Sequence, residues 1–354
     1  TEADITTAAR VLTGWVIDKN RVDPDTGILT GRPVLSRHDQ DDKTFGSAFQ
    51  NTTIIGATSE DDMYRELQDF VDMIFNQIET ARSFVRKMYR FFVKDIIDSD
   101  VETDIIQPLA DDLYNNDYDH ILVLKKLLKS RHFYDVDDKN TTNEIIGGKI
   151  KSPLELFCTT VNLLNITNSK LSDLEYSFYR EANRVILTNH FSEAGMSLNG
   201  PETVEGYPGY YDQTAGYSRA WFKTNILFQR YSYGTSFKRG KVRNTNRNFP
   251  YQMDIISWTE NNLDDVADSG TPTVPQGAAD AYHVVDSMLD YFIPERPVDS
   301  RYSYFLQALL GGLSPVNWYF SWREYLDTGE TANVKVGLER LYDAIMASPE
   351  FQTF

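Results

Sequence analysis

Apolar residues at Met63, Leu67, Phe70, Ile74, Ile78, Ala81, Phe84, Met88 and Phe91 recur every three or four positions, the spacing of one face of an α-helix. The pattern predicts helix from about Asp61 to Val93, in two consecutive pieces broken near Ile78 to Thr80. Asp117 and Asp119 open another helix, with Ile121, Leu124 and Leu128 on its apolar face and Lys125, Lys126, Lys129 and Arg131 toward its end. Acid first and base last is the order the helix dipole favours. Ser152-Pro153-Leu154-Glu155 combines a capping hydroxyl, a proline for the first helical position and a glutamate for a capping box, so a helix starts there and runs past Leu164. Further helical patterns occupy 175–190, 217–231, 278–292, 301–310 and 334–347, while alternating, strand-like runs are few and short.

The expectation is a mainly α protein: residues 1–354 as one large multi-helix domain with little β structure. Three segments resist the helical period, 18–58, 193–216 and 232–276, each rich in Gly, Pro, Asn, Asp or Thr. They are expected as long ordered loops, which in compact domains are often functional. No repeat of 20–50 residues and no low-complexity tract is present, which argues against a solenoid.

The chain has 354 residues, 41% of them hydrophobic and 25% charged, enough for a real core. Its formal charge of −17 makes long-range attraction to phosphate backbones and anionic bilayers unfavourable, so nucleic acid and membrane surfaces are not expected as partners. No apolar run approaches the ~18 to 20 residues of a transmembrane helix. The single cysteine, Cys158, lies between Phe157 and Thr159 in an apolar helical stretch and reads as an inert core thiol. Thr1 stands a few residues before a helix with no basic or apolar leader segment, which reads as a processed or truncated product with helices upstream.

Candidate chemistry is sparse. The chain contains no GxSxG, HExxH, GxxxxGK[ST] or GxGxxG, and Gly195-Met196-Ser197-Leu198-Asn199 lacks the second glycine of a nucleophile elbow. His38, His120, His132, His190 and His283 are scattered. His38 stands out, because Arg37-His38-Asp39 followed by Lys43 gathers a proton carrier, an acid and two cations: the equipment for acid–base catalysis, or for anchoring a loop. Asp23 and Asp25, near Asp18, Asn20 and Gly27, offer oxygen ligands suited to a hard cation such as calcium, although the spacing is not that of an EF-hand and a solvated turn accounts for it too. The acidic run Asp135, Asp137, Asp138, Asn140 and Glu144 reads the same way.

Tyr207, Tyr210, Tyr211 and Trp221 belong to an aromatic-rich stretch that can form a stacking surface for a sugar or peptide, or else pack a core. Lys238, Arg239, Lys241 and Arg243 follow as a basic segment for an acidic partner or for another part of this chain.

Thr1-Glu2-Ala3-Asp4 with Ala8, Arg10 and Leu12-Thr13-Gly14-Trp15, then Arg37-His38-Asp39, Lys43-Thr44-Phe45, Lys151-Ser152-Pro153-Leu154-Glu155, and Gly200-Pro201 through Val204-Glu205-Gly206-Tyr207-Pro208-Gly209 to Trp221 and Asn225, are ordered along nearly the whole chain. Together they resemble the bacterial domain of unknown function family number 1800. The resemblance implies a large, mainly helical, exported bacterial protein, often encoded beside another uncharacterised exported protein, and supplies no reaction or catalytic residues. Family members tend to carry Trp where this chain has Tyr207. In physical terms Gly206 and Gly209 around Pro208 allow a tight turn, and Gly14-Trp15 would end the first helix and bury an indole. The leading expectation is an exported binding or assembly component of the cell envelope, with a protein partner there. The alternatives are an envelope hydrolase using His38 and Asp39, with a carboxylate from elsewhere in the chain, and a carbohydrate-binding protein using the tyrosine-rich loop.

Overall fold

The computed structural model describes all residues except 135–146, 165–190, 198–199, 201–215, 241–251 and 268. It is mainly α-helical, and the β structure among the described residues is confined to two-stranded ribbons. The described residues gather into two compact units, Thr1–Met88 with Asp98–Lys129, and Tyr89–Ile97 with Ser130–Phe354.

In the first unit α1 (Glu2–Val11) is capped by Thr1, with Asp4 completing the capping box. Gly14 then turns the chain with φ +76°, and a Cβ there would lie 2.9 Å from both His38 Cβ and Val34 O. Only glycine fits this close approach. Trp15 follows as the first residue of a strand and sets its ring edge-on to Tyr64 at 5.1 Å. The segment expected as a loop from 18 to 58 instead holds an antiparallel hairpin, β1 (Trp15–Val22) with β2 (Leu29–Pro33), and a short ribbon, β3 (Lys43–Thr44) with β4 (Thr53–Ile54). Ile17, Val22 and Leu29 are exposed, so these apolar positions impose no period of two.

Ser59 caps α2 (Glu60–Phe75), and α3 (Ile78–Phe92) follows after Asn76-Gln77, so the break falls just before the expected position. The run Ser99–Val101 (α4), a π turn at Glu102–Ile106 and Gln107–Asn115 (α5) add helix beyond the expected segments, and Val101, Ile106, Leu109 and Leu113 are all buried. Asp119 caps α6 (His120–Leu128) as expected, accepting from the amides of Ile121 and Leu122. Val11, Phe45, Ile54 and Met73 form a small core against which Ala8, Phe49, Phe70 and Ile74 pack.

In the second unit the capping box at Ser152 is present: its hydroxyl accepts from Glu155 N at 3.2 Å and Ser152 N donates to Glu155 Oε2 at 2.7 Å. The helix it opens, α7 (Pro153–Leu163), ends just short of the expected point. Cys158 lies on its outer side and is exposed, which corrects the reading of a core thiol. A 3-10 turn at Tyr217–Phe222 precedes α8 (Thr224–Arg239), so 232–239 is helix rather than loop, and α9 (Ile255–Asn262) lies in the same expected loop. The expected helix at 175–190 lies outside the described residues.

Helices α10 (Ala281–Phe292), α11 (Asp299–Leu310), α12 (Pro315–Thr328) and α13 (Ala332–Met346) complete the main core, and α14 (Pro349–Gln352) follows. The central element is α13, which packs against α8, α9, α10, α11 and α12 through Val334, Leu338, Leu341, Tyr342 and Ile345. At Gly337 a Cβ would sit 2.6 Å from the Trp318 ring, so the glycine sets the spacing of α12 and α13. Beyond α14 the chain lies along residues 147–151, with Phe354 N donating to Lys149 O at 3.0 Å and Lys151 N to Gln352 O at 2.9 Å.

Candidate functional site

The residues singled out around His38 meet in the first unit, but not in the expected pairing. His38 ends a 3-10 turn (Leu35–Arg37), and its Nε2 lies 3.0 Å from Oε2 of Glu66, a residue of α2. Lys43, the first residue of β3, places Nζ 2.7 Å from Glu66 Oε1 and 3.3 Å from His38 Nε2, and also donates to Asp39 O. The amide of Ala57 donates to Glu66 Oε2 at 2.9 Å. The side chains of His38, Lys43 and Glu66 are each 0% exposed.

Asp39 turns the other way. Its carboxylate accepts two bonds from Arg10, at 2.7 and 3.0 Å, and the hydrogen bond from that guanidinium holds the Asp39 carboxyl down to about 2. The imidazole–carboxylate pair therefore uses Glu66, and Asp39 serves the neighbouring ion pair. Asp39 N donates to Thr13 Oγ1 at 2.8 Å, and Thr13 Oγ1 donates to Arg10 O at 2.7 Å. The network joins α1, the turn after it, the 35–43 segment and α2.

Hydrogen-bond accounting fixes the donor side of the imidazole. Thr13 O is a carbonyl and can only accept, so His38 Nδ1 donates to it at 2.9 Å. A neutral imidazole with its proton on Nδ1 leaves Nε2 bare, yet Nε2 faces a carboxylate oxygen. A bare Nε2 can accept from Lys43 Nζ, 3.3 Å away, whereas an imidazolium would donate from Nε2 to Glu66 Oε2. Arg10, Lys43, Asp39 and Glu66 balance in charge. Chemically the cluster can hold and pass protons internally; with no exposed side-chain surface, it offers no face to a substrate.

The alternation of apolar residues on α2 hides Glu66. Met63, Glu66 and Met73 are the buried residues of this helix, whereas Leu67, Phe70 and Ile74 are only half-buried. A glutamate three residues after Met63 and seven before Met73, on a helix with an apolar face, was the signal available in the sequence.

The remaining candidates separate. Asp23 Oδ1 accepts from Asp25 N, Thr26 N and Thr26 Oγ1 at 2.8–3.0 Å, so it closes the β1–β2 turn, and Asp25 is exposed beside it. Among the described residues no group of three His, Cys, Asp or Glu side chains is placed to hold a metal ion. Trp221 is 1% exposed and packs within the second unit, so it presents no stacking face. Lys238 pairs with Asp343 and lies 3.9 Å from Glu339. The start of the basic segment therefore engages α13 of the same unit, while Arg239 is exposed. Tyr207, Tyr210, Tyr211, Gly206, Pro208, Gly209, Lys241 and Arg243 lie outside the described residues. His132 Nε2 meets Tyr89 OH at 2.9 Å, and His120 stands edge-on to Phe84 at 5.4 Å.

A feature absent from the sequence reading is an open cavity of about 380 Å³ in the second unit, lined by Phe91, Phe92, Val93, Phe133, Lys149, Glu155 and Phe354. Phe91 and Phe92 stand edge-to-face at 4.7 Å and are 46% and 41% exposed. Lys149 Nζ lies 4.9 Å over the Phe91 ring and 5.0 Å over that of Phe354, and it bonds Phe91 O and Glu155 Oε1. The cavity is thus mainly aromatic, with an internally paired cation and acid on its wall. Its size is that of pockets that take small ligands or a partner's side chains.

Residues 1–353 match the family model described as a protein of unknown function, DUF1800, and the chain belongs to that family. Comparison with the curated proteins and with the solved structures gave no match. No helix among the described residues is long and apolar enough to cross a membrane.

Proposed function

We propose that this protein is an exported binding or assembly component of the bacterial cell envelope, and that the aromatic cavity of its second unit receives an apolar group of a protein partner. The observation that carries this reading is the contrast between two sites. The histidine–carboxylate–lysine cluster of the first unit is closed to solvent, whereas Phe91 and Phe92 at the cavity are open to it. Exposed aromatic side chains around a pocket are the usual anchors of protein interfaces. The closed cluster weighs against the hydrolase alternative, because a general base must come within hydrogen-bond reach of its substrate.

The test is purification of the full-length protein from its native envelope under mild conditions, beside a Phe92→Asp variant. The expected result is a stoichiometric protein partner that the variant no longer retains. A lone monomer in both preparations overturns the proposal. So does hydrolysis of an envelope polymer that is abolished by His38→Ala in a protein that still folds.

A further inference from the structure

Two cations of the second unit lie buried with no carboxylate bonded to them among the described residues. Arg230, on α8, is 1% exposed, and Lys151, just before α7, is 4% exposed. Both reach the same short stretch of chain. Lys151 Nζ donates to Phe351 O at 2.7 Å, while Arg230 Nε donates to Gln352 Oε1 at 2.8 Å and Nη2 to Gln352 O at 3.4 Å. All of these acceptors are neutral. Arg230 Nη1 is buried and has no hydrogen-bond partner among the described residues.

Charge accounting makes this pair unusual. A buried cation is costly unless an anion accompanies it, and an unsatisfied buried donor adds to that cost. The acid whose field reaches both cations is Glu155, but its two oxygens are held by Lys149 Nζ at 3.1 Å and Ser152 N at 2.7 Å. Burial, and then the charge of Arg230, push the Lys151 ammonium down to about 8; burial pushes Arg230 down to about 10. The rings of Phe351 and Phe354, 4.9 and 5.2 Å from Lys151 Nζ, present electron-rich faces but no charge.

We infer that the second unit binds one small monovalent anion, chloride or an ion of its size and charge, at Arg230 Nη1 within the field of Lys151. The free edge of the guanidinium supplies the N–H donors, and Lys151 supplies the second positive charge. Enclosure selects the ion: the desolvation cost of a charge grows steeply with its magnitude, so a dianion such as phosphate is disfavoured where a halide is accepted. The bound ion would hold α7, α8 and the 351–352 segment to a common centre.

Thermal unfolding of the full chain, at one pH and one ionic strength, with sodium gluconate replaced stepwise by sodium chloride, tests the inference. Tm is expected to rise with chloride and then saturate, and Arg230→Met is expected to abolish the rise. Should that variant fail to fold, crystals of the unaltered protein in sodium bromide provide the second arm, with an anomalous peak expected within hydrogen-bond distance of Nη1. A Tm indifferent to chloride, or one that climbs without saturating, overturns the inference. A bromide peak without any chloride response reduces the site to binding at crystal concentration only and overturns it as well.

Discussion

Lys43 Nζ and Glu66 Oε1 stand 2.7 Å apart with neither side chain exposed, so each charge depends on the other for its tolerance in the interior. Removing one partner strands the other, which typically costs about 3–5 kcal/mol. Lys43→Met and Glu66→Gln should each lower the stability of the first unit by that order in urea unfolding. The double variant Lys43→Met/Glu66→Gln should lose less than the sum. Additive losses would show that the two side chains do not act as a pair.

Gly14 carries φ +76° against the backbone of Val34 and the Cβ of His38. Gly14→Ala meets both a disfavoured backbone conformation and a clash, so a loss of more than about 1 kcal/mol is expected. Because the clash bears on His38, the NMR signals of its ring should move as well. An unchanged melting curve with unmoved His38 signals would contradict the close packing described.

The Asp39 carboxyl is held at about 2 by the Arg10 guanidinium, below its ordinary 3.8. A depressed carboxyl pKa contributes stability that is present above the unfolded value and is lost as pH falls through the folded one. Acid unfolding should therefore steepen between about pH 4 and pH 2. Arg10→Met should flatten that portion of the stability curve, since Asp39 would then titrate alike in both states. Curves of equal slope for the two proteins would remove the Arg10–Asp39 pair from the acid response.

Cys158 is exposed on α7, and its thiol is pushed up by partial burial and by Glu155. A maleimide should label the folded protein to one equivalent, slowly at neutral pH and faster on the alkaline side, where the thiolate forms. Labelling that requires denaturant would return this residue to the core.

Sequence pattern revealed the helices whose ends carry chemistry. Ser152 and Asp119 announce their caps through side chains of known reach, and the structure has both. The period of 3.6 was less informative where burial is partial. In the α12 helix the buried residues are Trp318, Tyr319 and Trp322, aromatics whose spacing in a short segment does not separate helix from loop. The hairpin at Trp15–Pro33 carries no such pattern for another reason, since Ile17, Val22 and Leu29 on its strands are exposed. At the candidate site the sequence pointed to His38 and Lys43, which are close in the chain. Glu66 arrives from another element, 28 residues beyond His38, and no local spacing encodes that contact.

The pairing of residues 147–151 with residues 351–354 also bears on synthesis. Lys151 and Phe351, 200 positions apart, share a buried hydrogen bond, so the second unit closes its core with nearly the last part of this sequence to leave the ribosome. The first unit draws on residues up to Lys129 alone and can assemble while the rest is still being made. For the second, Phe157 of α7 can meet Phe191 and Phe237 earlier, but Lys151 must wait through some two hundred further residues for its partner, an interval in which a partly closed core is prone to aggregation.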